Sequence, residues 1–242
     1  MGLVPILMFA ALLGVALLGG ALPLYARLSD ERLHRFIGFG AGAILGAAFL
    51  HMLPEAAARA GRYLGVAALA GFLALFFLEK LALAHPCEET TCDYHAVGMS
   101  AFLGMSFHNL VEGCVLGSSL AQAKGLGTIV FVAIALHKLP NAMALTSLLI
   151  AARYTPARIY ALLTLFALMV PLGAVGAFAV FSFWGGSSEL LGVALGASAG
   201  TFLHIAASDL LPEVHKGTEG RVGNLVAFVL GLVLIGGARF LE

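Results

Sequence analysis

The chain has 242 residues, 61% of them hydrophobic and 11% charged, with thirteen basic side chains against thirteen acidic ones. A mean hydropathy of +1.00 excludes a soluble globular domain and points to a polytopic membrane protein. Zero formal net charge and the lack of a basic tract exclude nucleic acid and anionic polymers as partners.

Eight apolar stretches follow one another, at approximately 3–26, 36–57, 63–84, 96–121, 127–151, 158–182, 190–212 and 222–241. Each reaches the roughly 20 residues that cross a ~30 Å hydrocarbon core. The expected fold is an all-α polytopic membrane protein, one transmembrane domain over residues 1–242 with short loops. The first stretch reads as a helix and not as a signal peptide, because no Lys or Arg precedes it and it is too long for an h-region. Basic residues set the orientation. With the N-terminus outside, the inner loops and helix ends hold eight, among them Arg27, Arg35, Lys80 and Arg153, while the outer side holds Arg59, Arg62, Lys124 and Arg239. That bias places both termini outside a plasma or inner membrane.

At an offset of 158 residues the chain matches itself. His51-Met52-Leu53-Pro54-Glu55 in the second stretch aligns with Asp209-Leu210-Leu211-Pro212-Glu213 in the seventh, and Ala41, Gly42 and Ala48 align with Ala199, Gly200 and Ala206. Eight alternating spans would traverse these two in opposite directions. The trace is that of an inverted repeat, helices 1–3 against 6–8 with helices 4 and 5 between them, a 3+2+3 arrangement typical of transporters. Pro54, Pro140 and Pro212 free the carbonyls of Leu50, Leu136 and Ser208, which need internal partners or a water-lined cavity.

Two polar islands interrupt the fourth and fifth stretches: His108-Asn109-Leu110-Val111-Glu112-Gly113 and His137-Lys138-Leu139-Pro140-Asn141. Ionisable groups at bilayer depth are costly and mark pathways or sites. Spacing of i,i+4 stacks His108 on Glu112 and His137 on Asn141. Two imidazoles, a carboxylate and an amide oxygen facing each other make a four-ligand set for a divalent transition metal.

The remaining polar residues have two readings each. His51, Glu55, Asp209 and Glu213 fall near the inner ends of the second and seventh spans, as an exit route or proton acceptors, or as solvated helix-end charge. Glu79, beside Lys80 at the inner boundary, reads as a snorkelling charge. His204 sits in mid-span seven, a weaker candidate for the pathway. The segment 85–95 reads as a cytosolic loop in which His85, Cys87, Cys92 and His95, with three acids, either capture a soft cation or form a disordered acidic loop. With the opposite topology its two cysteines could pair outside.

The four islands HMLPEA at 51–56, HNLVEG at 108–113, HKLPNA at 137–142 and DLLPEV at 209–214 closely resemble the Zrt/Irt-like (ZIP) family of divalent-metal transporters. IVFVAIALHKLPNAMALTSLL looks most like its subgroup with His-Lys on the fifth helix. The resemblance implies eight helices, a transport site on His108, Asn109, Glu112 and His137, and a homodimer. Some members carry acidic residues at the positions of Lys138 and Asn141 and hold two adjacent metals. Lys138 here puts a positive charge where the second would lie, so one metal is expected, with Lys138 standing in for the other.

The expected function is transport of a divalent metal toward the cytoplasm, Zn²⁺ first, with Fe²⁺, Mn²⁺ and Cd²⁺ compatible with the same ligands. The metal is substrate, and no cofactor is expected. Two alternatives from other classes are an intramembrane zinc hydrolase, disfavoured because no HExxH motif is present, and a membrane metal sensor that binds without flux.

Overall fold

A computed structural model describes residues 3–25, 30–83, 91–122, 126–184, 187–212 and 221–238, which are helical with short turns and contain no strand. Helix α1 spans Leu3–Tyr25. Helix α2 (Asp30–Gly46) runs through a π-helical turn, Ala47–Met52, into α3 (Leu53–Ala60). Helix α4 (Leu64–Phe77) ends in a second π turn at Leu78–Leu83. Then come α5 (Thr91–Gln122), α6 (Leu126–Ala151) and α7 (Pro156–Trp184). Helix α8 (Ser188–His204) continues through a third π turn, Ile205–Leu210, and α9 is Arg221–Ala238.

Proline accounts for two of the π turns. Pro54 and Pro212 cannot donate to the residue four back, and the preceding amide slips one residue further instead. Leu53 N–H bonds Ala48 O, and Leu211 N–H bonds Ala206 O. Both bonds span five residues, and the two π turns lie 158 residues apart. Pro140, by contrast, is carried inside a continuous α6.

Helix ends are set locally. Ser187 caps α8 by accepting from Leu190 N–H at 3.0 Å. Helix α6 stops where Arg153 takes a left-handed φ of 60°, with Tyr154 N–H to Leu149 O at 3.0 Å and Arg153 N–H to Ile150 O at 2.9 Å. Those two bonds satisfy carbonyls at the helix end, and Pro156 then starts α7.

Five stretches among the described residues are long and apolar enough to cross a membrane: Leu3–Tyr25, Glu31–Lys80, Val130–Ala151, Pro156–Ala177 and Ser188–Leu210; Val222–Gly237 is apolar but shorter. The count falls below the eight expected for physical reasons. The second and third stretches form one helical run broken by a single 3₁₀ turn at Gly61–Tyr63. Helix α5 carries the polar His108, Asn109 and Glu112, which lower its hydropathy.

Polarity is arranged inside out. Leu7, Leu18, Val66, Leu172, Val222 and Leu230 face outward, while His108, Asn109, Glu112, Lys138, Asn141, His204 and Asp209 are buried. An apolar surface around buried polar groups suits a hydrocarbon solvent. Ile37, Ile44, Met105, Leu145, Phe166 and Phe202 belong to the main core.

Three glycine pairs bring backbones into contact. A Cβ on Gly42 would lie 1.9 Å from Phe228 O and one on Gly231 2.0 Å from Phe39 O, locking α2 to α9. Gly71 and Gly200 do the same for α4 and α8, each 1.9 Å from the opposite carbonyl, at Ala197 and Ala68. Gly113 and Gly173 join α5 to α7, at 2.1 Å from Val170 O and 2.0 Å from Leu110 O. Only a residue without a side chain permits these approaches.

Candidate metal centre

The α5–α7 glycine contact sits beside Glu112 and turns the polar face of α5 toward α6 and α8. His108 and Glu112, one turn apart on α5, meet His137 of α6, and the three offer ligand atoms within 4.8 Å of one another, all buried. Glu112 Oε1 lies 2.8 Å from His108 Nε2 and is in direct contact with His137 Nε2. The approach to His108 has the distance of a hydrogen bond but not its angles, leaving Nε2 without a hydrogen-bond partner among the described residues. Glu112 thus bonds to His137 while His108 Nε2 stays available to a ligand.

The surroundings of His108 hold it from behind. Ser198 Oγ of α8 lies 3.1 Å from His108 Nδ1, which leaves Nε2 to face the cluster. Fixing one imidazole nitrogen is how second partners orient a metal-binding histidine. The His108 ring also packs on Phe202, with centroids 4.3 Å apart.

Lys138 is fully buried, at 0% exposure. Its Nζ lies 3.8 Å from Glu112 Oε2 and 5.0 Å from the centroid of Phe166, a cation–π arrangement. Glu112 is thus the carboxylate that its ammonium reaches.

The two asparagines differ. Asn109 donates from Nδ2 to Phe166 O at 2.7 Å and ties α5 to α7, while its Oδ1 has no hydrogen-bond partner among the described residues. Asn141, one turn from His137, is buried with neither amide atom hydrogen-bonded among the described residues. An unsatisfied buried amide costs about 1–3 kcal/mol, a cost that ligation offsets.

Of the four residues expected at the inner helix ends, the three that are described lie in different surroundings. The His51 ring lies 5.8 Å from that of His137, edge-on, at the metal cluster. The π turn at Ala47–Met52 shifts the residues after it by one position, which a 3.6-residue period could not foresee. Glu55 pairs with Arg59 at 2.6 Å on the surface, an i,i+4 pair. Asp209 joins Glu79 and His204 in a second buried cluster with ligand atoms within 4.8 Å. Glu213 lies outside the described residues.

Glu79 is thus buried, not snorkelling, with Oε2 2.9 Å from His204 Nε2 and Oε1 3.1 Å from Lys80 Nζ. Pro212 is the signal in the sequence that could have shown His204 and Asp209 sharing a face, since a π turn aligns residues five apart. His85 and Cys87 lie outside the described residues. Helix α5 begins at Thr91, so Cys92 and His95 belong to a helix and not to the expected loop.

The chain has relatives along nearly its whole length. It is 28% identical to zinc transporter ZIP9 of Micropogonias undulatus, over 93% of this chain and 94% of that protein. It is 28% identical to zinc transporter ZIP9-B of Xenopus laevis, over 96% and 95%. Zinc transporter ZIP13 of Pongo abelii is 29% identical over 75% of this chain and 58% of its own. The family model described as ZIP zinc transporter matches residues 83–238, which include both islands, Glu112 and His137. With that match over more than half its length, and helices apolar enough to span a bilayer, this integral membrane protein belongs to the ZIP zinc transporter family.

Proposed function

We propose that the protein is a carrier moving divalent transition-metal ions, zinc foremost, across a plasma or inner membrane toward the cytoplasm. The observation that carries the reading is the buried His108–Glu112–His137 cluster on two helices of an apolar bundle. The names of the relatives support zinc as the ion.

In this reading His108, Glu112 and His137 ligate the ion, Asn141 adds a neutral oxygen, and Asn109 positions α5 while its Oδ1 remains available. Two neutral imidazoles and one carboxylate suit zinc without excluding Fe²⁺, Mn²⁺ or Cd²⁺. Lys138 holds a fixed positive charge 3.8 Å from Glu112, so the ion shares its one carboxylate with a competitor. Opposite unit charges at that range attract by about 4 kcal/mol at an effective dielectric of about 20. A single, weakened metal site is the consequence, and a carrier must release what it binds.

The eight-helix, 3+2+3 arrangement with an inverted repeat belongs to the same proposal. It is supported by the two π turns 158 residues apart and by Gly42 and Gly200, equally spaced, each locking its helix to a neighbour. Outward termini rest on the basic-residue bias, and a homodimer on the family resemblance.

The test is zinc uptake into proteoliposomes holding a trapped metal-sensitive dye. Uptake that Glu112→Ala abolishes in a folded protein supports the carrier. Zinc binding without uptake moves the reading to a sensor, and zinc-dependent cleavage of a membrane substrate moves it to a hydrolase.

A further inference from the structure

We propose that the cavity between the end of α1 and the turn joining α6 to α7 holds one anionic phospholipid, its phosphate on Arg153 and Arg158 and the start of an acyl chain between the helix ends. The inner leaflet as its source rests on the orientation proposed above; the site itself rests on its own geometry.

The cavity forms where three helix ends meet. Pro23 and Leu24 lie in the last turn of α1, Ile150 in the last turn of α6, and Pro156 and Ile159 in the first turn of α7. With Arg153 and Tyr154 they line a space of about 520 Å³, within the ~300–1,000 Å³ of small-molecule sites. Its lining is graded. Ile159 is buried, Leu24 and Ile150 are half-buried, and Arg153 is exposed. The Tyr25 and Tyr160 side chains hydrogen-bond to each other at the same ends of α1 and α7. Tyrosines at the ends of spans sit at headgroup level. An apolar cleft that opens at that level under a basic rim has the layering of a phospholipid, anion outside and hydrocarbon inside.

Charge says which lipid. None of the described residues lining the cavity is acidic, and α1, α6 and α7 contain no Asp or Glu at all. Along the chain the first carboxylates on either side of the turn are Glu112, engaged with His137, and Glu189. Arg158 stacks on Tyr154, its Cζ 5.4 Å from the ring centroid. A guanidinium held by its face keeps the N–H groups of its edge for a phosphate, which it grips with two parallel bonds. Arg153 takes its left-handed φ of 60° at a helix end where glycine is least strained, so a basic side chain stands there at a conformational cost.

The backbone adds to this field. Ile159 N–H to Thr155 O, at 3.0 Å, opens the ladder of α7 and leaves the amides of Ala157 and Arg158 without a helical acceptor. They stand at the positive end of a 29-residue helix. Two arginines, that helix end and a carboxylate-free cavity make an uncompensated positive rim, and the bilayer supplies its counter-ion as an anionic headgroup. Ile150 lies thirteen residues beyond His137 on α6, about 20 Å of helix rise, so the lipid acts on the packing of α1, α6 and α7 and not on the metal ligands.

The experiment is native mass spectrometry of the purified full chain in detergent with phosphatidylglycerol or phosphatidylcholine added, for wild type, Arg153→Ala, Arg158→Ala, Leu24→Trp and Arg62→Ala. Size-exclusion profiles confirm that each variant is folded. Arg62 is the control, because it too is exposed and stacks on a tyrosine, Tyr63 at 4.8 Å, but does not line this cavity. Wild type should retain one phosphatidylglycerol about tenfold or more tightly than phosphatidylcholine. Each substitution of Arg153 or Arg158 should weaken retention by about fivefold. Leu24→Trp, which fills the cleft, should abolish retention with both arginines in place, and Arg62→Ala should leave it unchanged. Equal retention of the two lipids, equal weakening by Arg62→Ala and Arg153→Ala, or undiminished retention by Leu24→Trp overturns the proposal. Release of the lipid by millimolar inorganic phosphate would assign the site to a free anion and overturn it as well. Loss of zinc uptake with the lipid retained would sink the carrier reading and not this one.

Discussion

Ser198 and His108 meet across the α5–α8 contact, hydroxyl oxygen to Nδ1 at 3.1 Å, and through that contact a residue outside the ligand set decides which imidazole nitrogen faces Glu112. Removing the hydroxyl frees the ring to turn and to exchange tautomers. Ser198→Ala should weaken zinc binding at the first cluster by about 10–100-fold with little change in the melting temperature. Zinc titration of Ser198→Ala against wild type checks it. An unchanged affinity would show that Ser198 only packs.

Lys138 is the clearest lever on release. Replacing it with Met keeps most of the volume of the stem and removes the charge that competes for Glu112. Zinc affinity at the first cluster should rise by about tenfold or more, and turnover should fall because the ion leaves more slowly. Competition with a chelating dye measures the first, and uptake at saturating zinc measures the second. A variant that binds more weakly would mean that Lys138 holds Glu112 in place.

Acidity should work against binding. Histidine ligates only as the neutral ring, so protons compete with the ion for the same nitrogen. Apparent zinc affinity should therefore fall as the pH is lowered from about 8 to about 5. Binding isotherms across that range test the sign, and an affinity that rises on acidification would contradict a histidine site.

The glycine contacts make a structural prediction with an internal control. Gly173→Ala places a methyl 2.0 Å from Leu110 O, whereas Gly176, on the same helix, has nothing within 4 Å. The first substitution should destabilise by about 1–3 kcal/mol or more, lowering the melting temperature, and Gly176→Ala should be neutral or slightly stabilising. Equal melts for the two would mean that α5 and α7 are not in backbone contact.

How far the sequence could be read depended on period. The helical, membrane-embedded character and the family were legible because long apolar runs and the HNLVEG and HKLPNA strings carry them directly. The meeting of His108, Glu112 and His137 is written in an i,i+4 stack and a facing island, both local patterns. The second cluster is not written that way. Glu79 and Asp209 are 130 residues apart, and His204 to Asp209 is a five-residue step that a 3.6-residue period sends to different faces. Only the π turn before Pro212 aligns them. The approach of His51 to His137 depends likewise on the π turn before Pro54, while Glu55, beyond that turn, is on the surface with Arg59.

The most direct test of transport through the first cluster is the ratio of cadmium to zinc uptake in proteoliposomes for His137→Cys, with His137→Ala beside it. A thiolate is a softer ligand than imidazole and favours cadmium. If residue 137 touches the moving ion, His137→Cys should transport with a cadmium preference raised above wild type, and His137→Ala should not transport. If both variants transport with wild-type selectivity, the ion does not pass between His108, Glu112 and His137.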